Sequence, residues 1–192
     1  MPPKSKFTEQ EILRAAVEET ERNGFDNLTA RTLAAALGSS PRPIFTVFNG
    51  MDEVKDGVIA VARDIYKRYV DEGLAESPAF KGVGKAYIRF AASRPKLFAL
   101  LFMREQERTP SVNDVLGVID DSAERIIRSV IDEYGLSAEN AKRVYLHMWL
   151  YTHGIAVSLA TKLCTFTQEQ ISAMLTEVMK PILQSVLAEE GK

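Results

Sequence analysis

Cysteine occurs once in this chain, at Cys164, tryptophan once, at Trp149, and histidine twice, at His147 and His153. A lone cysteine excludes an internal disulfide and suits a reducing compartment. The two histidines lie six residues apart, do not share a helix face and have no neighbouring carboxylate to complete a metal site, so neither a metal nor another cofactor is expected. No apolar run approaches the roughly 20 residues of a membrane span; "FALLFM" from Phe98 and "GIAVSLA" from Gly154 are the longest candidates. The opening "MPPKSKFTEQE" has no apolar segment of the signal-peptide kind, so a cytoplasmic protein with no membrane partner is expected. No glycine-rich phosphate loop, nucleophile elbow or Cys–His pair is present, and an enzyme is therefore not expected. Cys164 reads as a buried small hydrophobe near a helix end, with redox sensing the alternative.

What is present is globular. Hydrophobic residues make up 46% and charged residues 26% of 192 positions, enough for a core in one generous domain or in a small module fused to a larger one. The formal charge of −2 argues against bulk coating of nucleic acid but leaves room for a small DNA-reading face, because phosphate attraction is local.

Nearly every segment carries helical period, and no alternation of β-branched residues reads as a strand. Thr8 with Glu11 forms a capping box with Phe7 at the staple position; Ile12, Leu13, Ala16 and Val17 supply the stripe, and Asn23-Gly24-Phe25 predicts a left-handed cap. Thr29 caps a short helix bearing Leu33, Ala34 and Leu37 and stopped by Gly38. A long helix is expected from about Met51 to Gly73. Further helices are expected from Val83 to Ser93, from Pro95, from Val112 to Tyr134 and from Ala138 to Leu163. The last runs from Gln168 to Ala188 behind a Thr167/Gln170 capping box, with Pro181 as a bend or break. The expectation is all-α, about nine helices and no sheet.

Between the short helix and the long one lies "GSSPRPIFTVFNG", residues 38 to 50. With Ser40 as N-cap, Pro41 and Pro43 occupy the first turn, where the N–H groups lack internal partners anyway. A short helix over 41 to 47 is then compatible with both prolines, although Pro43 disfavours the α conformation at Arg42. Ile44 and Phe48 would pack inward while Arg42, Phe45 and Thr46 project outward. A long helix, a short helix, a glycine turn and a third short element make a three-helix helix-turn-helix; a plain loop between core helices is the competing reading.

From Thr8 to about Val54 the chain resembles the TetR family of one-component transcriptional regulators. It carries that family's "A…G…LT…LA…LG-S" frame and a version of its "LY-x-HF-x-x-K-x-x-L" ending, here Ile44 to Val54. The resemblance implies a DNA-binding domain over 1–50 and a helical ligand-sensing and dimerisation domain over 51–192. It implies that Thr29 caps its helix and meets a phosphate, that Arg31 reaches a base edge or phosphate, and that Ser40, Arg42, Phe45 and Thr46 face the groove. Lys4 and Lys6 would follow the backbone or minor groove as an arm. Arg42 is the best candidate for direct readout, since a guanidinium matches guanine bidentately. The ending departs from the family at Phe45, Val47 and Met51, which replace the usual phosphate-contacting Tyr, the His or Tyr, and the Lys. Over residues 1–50 six basic side chains are cancelled by six acidic ones. Backbone N–H groups near Gly50 could still hold a phosphate.

In the second domain "SRPKLFALLF" (93–102) and "WLYTHG" (149–154) resemble strings of this family's C-terminal domains, the latter of the type called WHG. Phe90, Phe98, Phe102, Met103, Met148, Trp149, Tyr151 and His153 are candidates for a ligand pocket, each with plain core packing as its alternative. Gly154, Ala156 and Ala160, with Leu175, Val178, Ile182 and Val186 of the last helix, are candidates for a dimer interface. The reading is a homodimeric repressor that binds a palindromic double-stranded operator and is released by an unidentified small-molecule effector. The alternative is a TetR-like helical module that binds a small molecule or protein and has lost specific DNA binding.

Overall fold

Local signals at the start of the chain are realised in the computed structural model, which describes residues 6–105, 109–112, 114–119 and 121–190. Thr8 caps α1 (Glu9–Asn23) through a full capping box with Glu11. Gly24 takes φ +91° with an extended ψ, so the expected left-handed cap is instead a reversal held by the Gly24 N–H on the Thr20 carbonyl. After a 3₁₀ turn at Phe25–Asn27, Thr29 caps α2 (Ala30–Ala36), its Oγ1 accepting from the Thr32 N–H at 3.2 Å.

The proline segment does not form the expected α-helix over 41 to 47. It makes a turn followed by a 3₁₀ turn at Ile44–Thr46, with the Ile44 N–H on the Pro41 carbonyl and the Val47 N–H on the Ile44 carbonyl. Two prolines within three residues remove donors and constrain Arg42, and the tighter i→i+3 bonding needs less regular helix to close.

α3 (Met51–Leu74) follows, then α4 (Ala79–Ser93) and α5 (Pro95–Phe102). α4 starts four residues earlier than Val83, directly after Pro78, so Phe80 and Lys81 are helical. The expected helix from Val112 to Tyr134 is two helices, α6 (Val115–Ile119) and α7 (Ala123–Tyr134). α8 (Ala138–Ala160) ends before Leu163 because Lys162 adopts φ +59°, and Cys164 lies beyond it, exposed rather than buried. α9 (Gln168–Glu190) opens on the Thr167/Gln170 box and runs uninterrupted through Pro181. Among the described residues there are nine α-helices and no strand, and no helix is long and apolar enough to cross a membrane.

The chain divides into two compact units, Met1–Ile65 with Lys96–Arg104, and Tyr66–Pro95 with Glu105–Lys192. In the first unit Ile12, Ala16, Leu28, Leu33, Ile44, Val54 and Val58 form the buried core. Gly57 of α3 lies against Leu13 of α1; a methyl there would sit 2.5 Å from Leu13 Cδ2. In the second unit α8 is the central helix, packed on α4, α7 and α9. Glycines at the crossing of α3 and α4 bring two backbones together: a methyl on Gly73 would lie 2.8 Å from the Gly82 carbonyl oxygen.

Candidate nucleic-acid interface and small-molecule cavity

Ile44 and Phe48 are buried and anchor the proline segment, while Arg42, Phe45 and Thr46 lie on its exposed side. Phe45 is 45% exposed, an unusual cost for a ring of that size unless something covers it. Thr29, Arg31 and Ser40 are exposed too, and no carboxylate pairs with Arg31 or Arg42 among the described residues. Thr29 spends its hydroxyl oxygen on the α2 cap, and the Thr46 hydroxyl donates to the Pro43 carbonyl at 2.7 Å. Lys6 rests its ammonium on Ser39 Oγ at 3.3 Å and over the Phe7 ring. Lys4 lies outside the described residues.

The N-terminus of α3, where a phosphate could dock on backbone N–H groups, is already answered by protein. Glu53 Oε2 accepts from the Asn49 backbone N–H at 2.6 Å and from Asn49 Nδ2 at 3.0 Å, and Asp52 adds a second carboxylate to the first turn. Both acids satisfy the positive end of the helix dipole and repel an incoming anion. The surface therefore presents a few discrete cations instead of a positive field.

The second unit contains a cavity of about 320 Å³ between α4, α8 and α9, with Tyr66 of α3 and Tyr134 of α7 completing its wall. Apolar and aromatic side chains dominate: Phe80, Val83 and Tyr87 from α4, Tyr145, Met148 and Trp149 from α8, Leu175, Met179 and Leu183 from α9. Phe80 meets Tyr145 edge-on with centroids 6.0 Å apart, and Tyr66 meets Tyr87 in the same way at 6.0 Å. Burial and the neighbouring Glu133 push the Tyr134 phenol well above its usual range, so it stays a neutral hydroxyl. Two cations, Lys81 and Lys180, also line the cavity, whereas no carboxylate does.

Of the pocket candidates drawn from the sequence, Met148 and Trp149 line this cavity. His153 stands one step behind it: its Nδ1 is 2.9 Å from the hydroxyl of the lining residue Tyr87, and its ring stacks on Trp149 at 5.2 Å. Burial lowers the imidazole pKa, so the ring is neutral near pH 7. Phe90 is fully buried against Tyr66 and Tyr69. Phe98 and Phe102 belong to the first compact unit with α5, Met103 is 43% exposed, and Tyr151 lies outside the lining. Lys81 and Phe80 carried a signal that went unread, since Pro78 in the capping position starts α4 at once. Nothing in the sequence pointed to Tyr66, Tyr134 or Lys180.

The interface candidates divide by helical phase. Ala156, Leu175 and Val186 turn inward and are buried within the protomer; Ala160, Val178 and Ile182 are half-buried, and Gly154 is exposed. The outer face of α8 also shows Leu150, 52% exposed, four residues before Gly154 and seven before Val157.

The family described as tetracyclin repressor-like, C-terminal domain, matches this chain over residues 80–180. An uncharacterized HTH-type transcriptional regulator of Mycobacterium tuberculosis is 25% identical over 159 residues, which is 80% of this chain and 70% of that protein. Among solved structures, the fatty acid degradation regulator FadR of Bacillus halodurans is similar with a TM-score of 0.62. The two share 16% identity over 91% of this chain and 93% of that one, a likeness of fold alone. These relatives are regulators of transcription and not enzymes. With a helix-turn-helix segment ahead of a matched C-terminal body, the chain belongs to the tetracycline-repressor-like family of transcriptional regulators.

Proposed function

We propose that this regulator is a homodimeric, effector-responsive repressor of the cytoplasm, in which residues 1–50 read a palindromic operator and residues 51–192 sense a small molecule and dimerise. The observation that carries the reading is the cavity beside α4 together with the backbone-to-backbone crossing of α4 on α3 at Gly82 and Gly73. With the two backbones in direct contact there and close packing transmitting strain, a shift of α4 on ligand binding moves the end of α3 with it. α3 is one uninterrupted helix, and its other end is seated on Leu13 through Gly57. Effector binding therefore tilts the helix on which the reading segment is hung, and the two half-site spacings of a dimer change.

Dimerisation is assigned to the outer face of α8, with Leu150, Gly154 and Val157, alongside Ala160 and the half-buried Val178 and Ile182 of α9. Thr29, Arg31, Ser40, Arg42, Phe45 and Thr46, with Lys4 and Lys6 as an arm, are assigned to DNA. Because phosphate anchors are few, affinity for DNA is modest and only weakly dependent on salt. A fluorescence-anisotropy titration of the full chain with DNA from upstream of its own gene tests this. The expected result is specific binding at moderate salt that competitor DNA does not displace. No specific binding there supports instead a helical binding module without an operator, a reading favoured by the carboxylates at the head of α3.

A further inference from the structure

We propose that the effector of this cavity is a lipophilic carboxylate, an acid whose headgroup sits between Lys81 and Lys180 and whose apolar body lies among the aromatic rings. This rests on the reading of the cavity as an effector site and adds the chemistry of its occupant.

The lining is asymmetric in charge. Two lysines line the cavity and no carboxylate does, although acidic residues are as common as basic ones in the chain as a whole. The two lysines come from different helices, Lys81 from α4 and Lys180 from α9, and both line the cavity. Lys81 Nζ donates to Thr176 Oγ1 at 2.9 Å, and Lys180 follows Thr176 by one helical turn on α9. Thr176 in turn donates its hydroxyl proton to the Ser172 carbonyl, so its oxygen is oriented to accept and hold the Lys81 ammonium at the rim. Neither ammonium has a carboxylate partner among the described residues; the nearby Glu133 accepts instead from the Phe80 backbone N–H, is exposed, and is outside the lining. A threonine hydroxyl cannot neutralise the half-buried Lys81 ammonium, and Lys180 at the exposed edge adds a second cation, so a ligand anion entering there meets two positive charges that no carboxylate among the described residues answers.

Beyond the rim the wall is apolar, with Tyr145, Met148, Trp149, Leu175, Met179 and Leu183 offering no second charge. A polyanion would find no further cation there, since the polar groups of the wall, those of its tyrosines and threonines, are neutral. The volume, about 320 Å³, stands at the lower end of small-molecule cavities, which matches an acid of about ten carbons and excludes a full-length membrane lipid.

The chain supplies its own reporter, because its single tryptophan, Trp149, is in the cavity wall. Decanoate, decan-1-ol and decylamine share one body and differ in head charge; each is titrated into the full chain and Trp149 emission is followed. Decanoate is expected to bind roughly ten-fold or more tighter than the alcohol, and the amine more weakly than either. Lys81→Gln and Lys180→Gln are each expected to cut decanoate affinity about ten-fold while leaving the alcohol unchanged, and Lys180→Glu to turn the preference toward the amine. Equal binding of acid and alcohol, tighter binding of the amine, or no response of Trp149 to decanoate up to about 1 mM overturns the inference. The wild-type series needs no variant to fold. DNA titration under the same conditions separates the two readings: acid binding through the lysines without any operator binding removes the repressor and keeps the ligand class. Operator binding with no preference for the acid does the reverse.

Discussion

The Tyr87 hydroxyl and His153 Nδ1 lie 2.9 Å apart, joining a residue of the cavity wall to the helix behind it. Trp149 stacks on the same imidazole, so one histidine fixes the orientation of two lining rings, Tyr87 on α4 and Trp149 on α8. Burial holds the imidazole pKa below the ordinary value near 6.5. The unfolded chain takes up a proton at its ordinary pKa and the folded chain only at a lower pH. The stability linked to His153 is thus fully present above about pH 6.5 and is lost as pH falls through the folded pKa. Melting temperature measured from about pH 7 to about pH 5 is expected to fall less steeply in His153→Gln than in the wild type. Parallel curves for the two proteins would show that the histidine is not held neutral by its site. Tyr87→Phe removes one hydrogen bond and is expected to cost about 0.5–1.5 kcal/mol, with Trp149 emission shifted because its stacking partner is released.

Gly73 and Gly82 allow α3 and α4 to touch through their backbones, and a methyl on Gly82 would overlap the Gly73 carbonyl. Alanine ordinarily stabilises a helix over glycine by about 1 kcal/mol. Gly82→Ala is nevertheless expected to destabilise by about 1–3 kcal/mol, because neither backbone can yield like a side-chain end. Gly154→Ala, where nothing lies within 4 Å inside the protomer, is the contrasting case and is expected to leave protomer packing intact. Urea unfolding of the two variants decides it; a Gly82→Ala protein as stable as the wild type removes the rigid crossing and, with it, the proposed route from cavity to reading segment.

Leu150 exposes half of its surface on α8, and none of the described residues covers that half. If the outer face of α8 is the dimer interface, Leu150→Glu places two like charges near the symmetry axis and leaves the protomer core untouched. The expected outcome in sedimentation velocity is a monomer of normal helicity at concentrations where the wild type is dimeric. A Leu150→Glu chain that remains dimeric assigns the interface to another surface.

The sequence was legible where chemistry is local. Capping boxes at Thr8 and Thr167 depend on residues three apart, and the inward Ile44 and Phe48 on a spacing of four, so each is written in a few positions. The proline segment was half legible: which side chains turn outward follows from periodicity, whereas the change from α to 3₁₀ depends on how the missing donors at Pro41 and Pro43 are absorbed. The cavity was mostly illegible. Phe98 and Phe102 have the same helical spacing as lining residues yet pack in the other compact unit, and Tyr66, Tyr134 and Lys180 meet only through the packing of distant helices. Helix period says which residues share a stripe, not which stripe faces which.

The reading segment carries its specificity and its weakness in adjacent residues. Arg42 is exposed and pairs with no acid among the described residues, and its loss in Arg42→Ala is expected to cost about 1–3 kcal/mol of operator binding, roughly ten- to a hundred-fold. Phe45 and Met51 sit where relatives of this fold were expected to supply a phenol and an ammonium for phosphates. Phe45→Tyr adds a neutral donor and is expected to tighten binding by about 0.5–1.5 kcal/mol without altering its salt dependence, since no counterion is released. Met51→Lys adds a charge at the head of α3 and is expected to steepen the fall of log affinity with log salt by about 0.9. Anisotropy titrations at several salt concentrations distinguish the two. Tyrosine at 45 without any gain in affinity would mean that the ring does not approach the phosphate backbone, and an unchanged slope for Met51→Lys would mean that Asp52 and Glu53 already cancel any cation placed there.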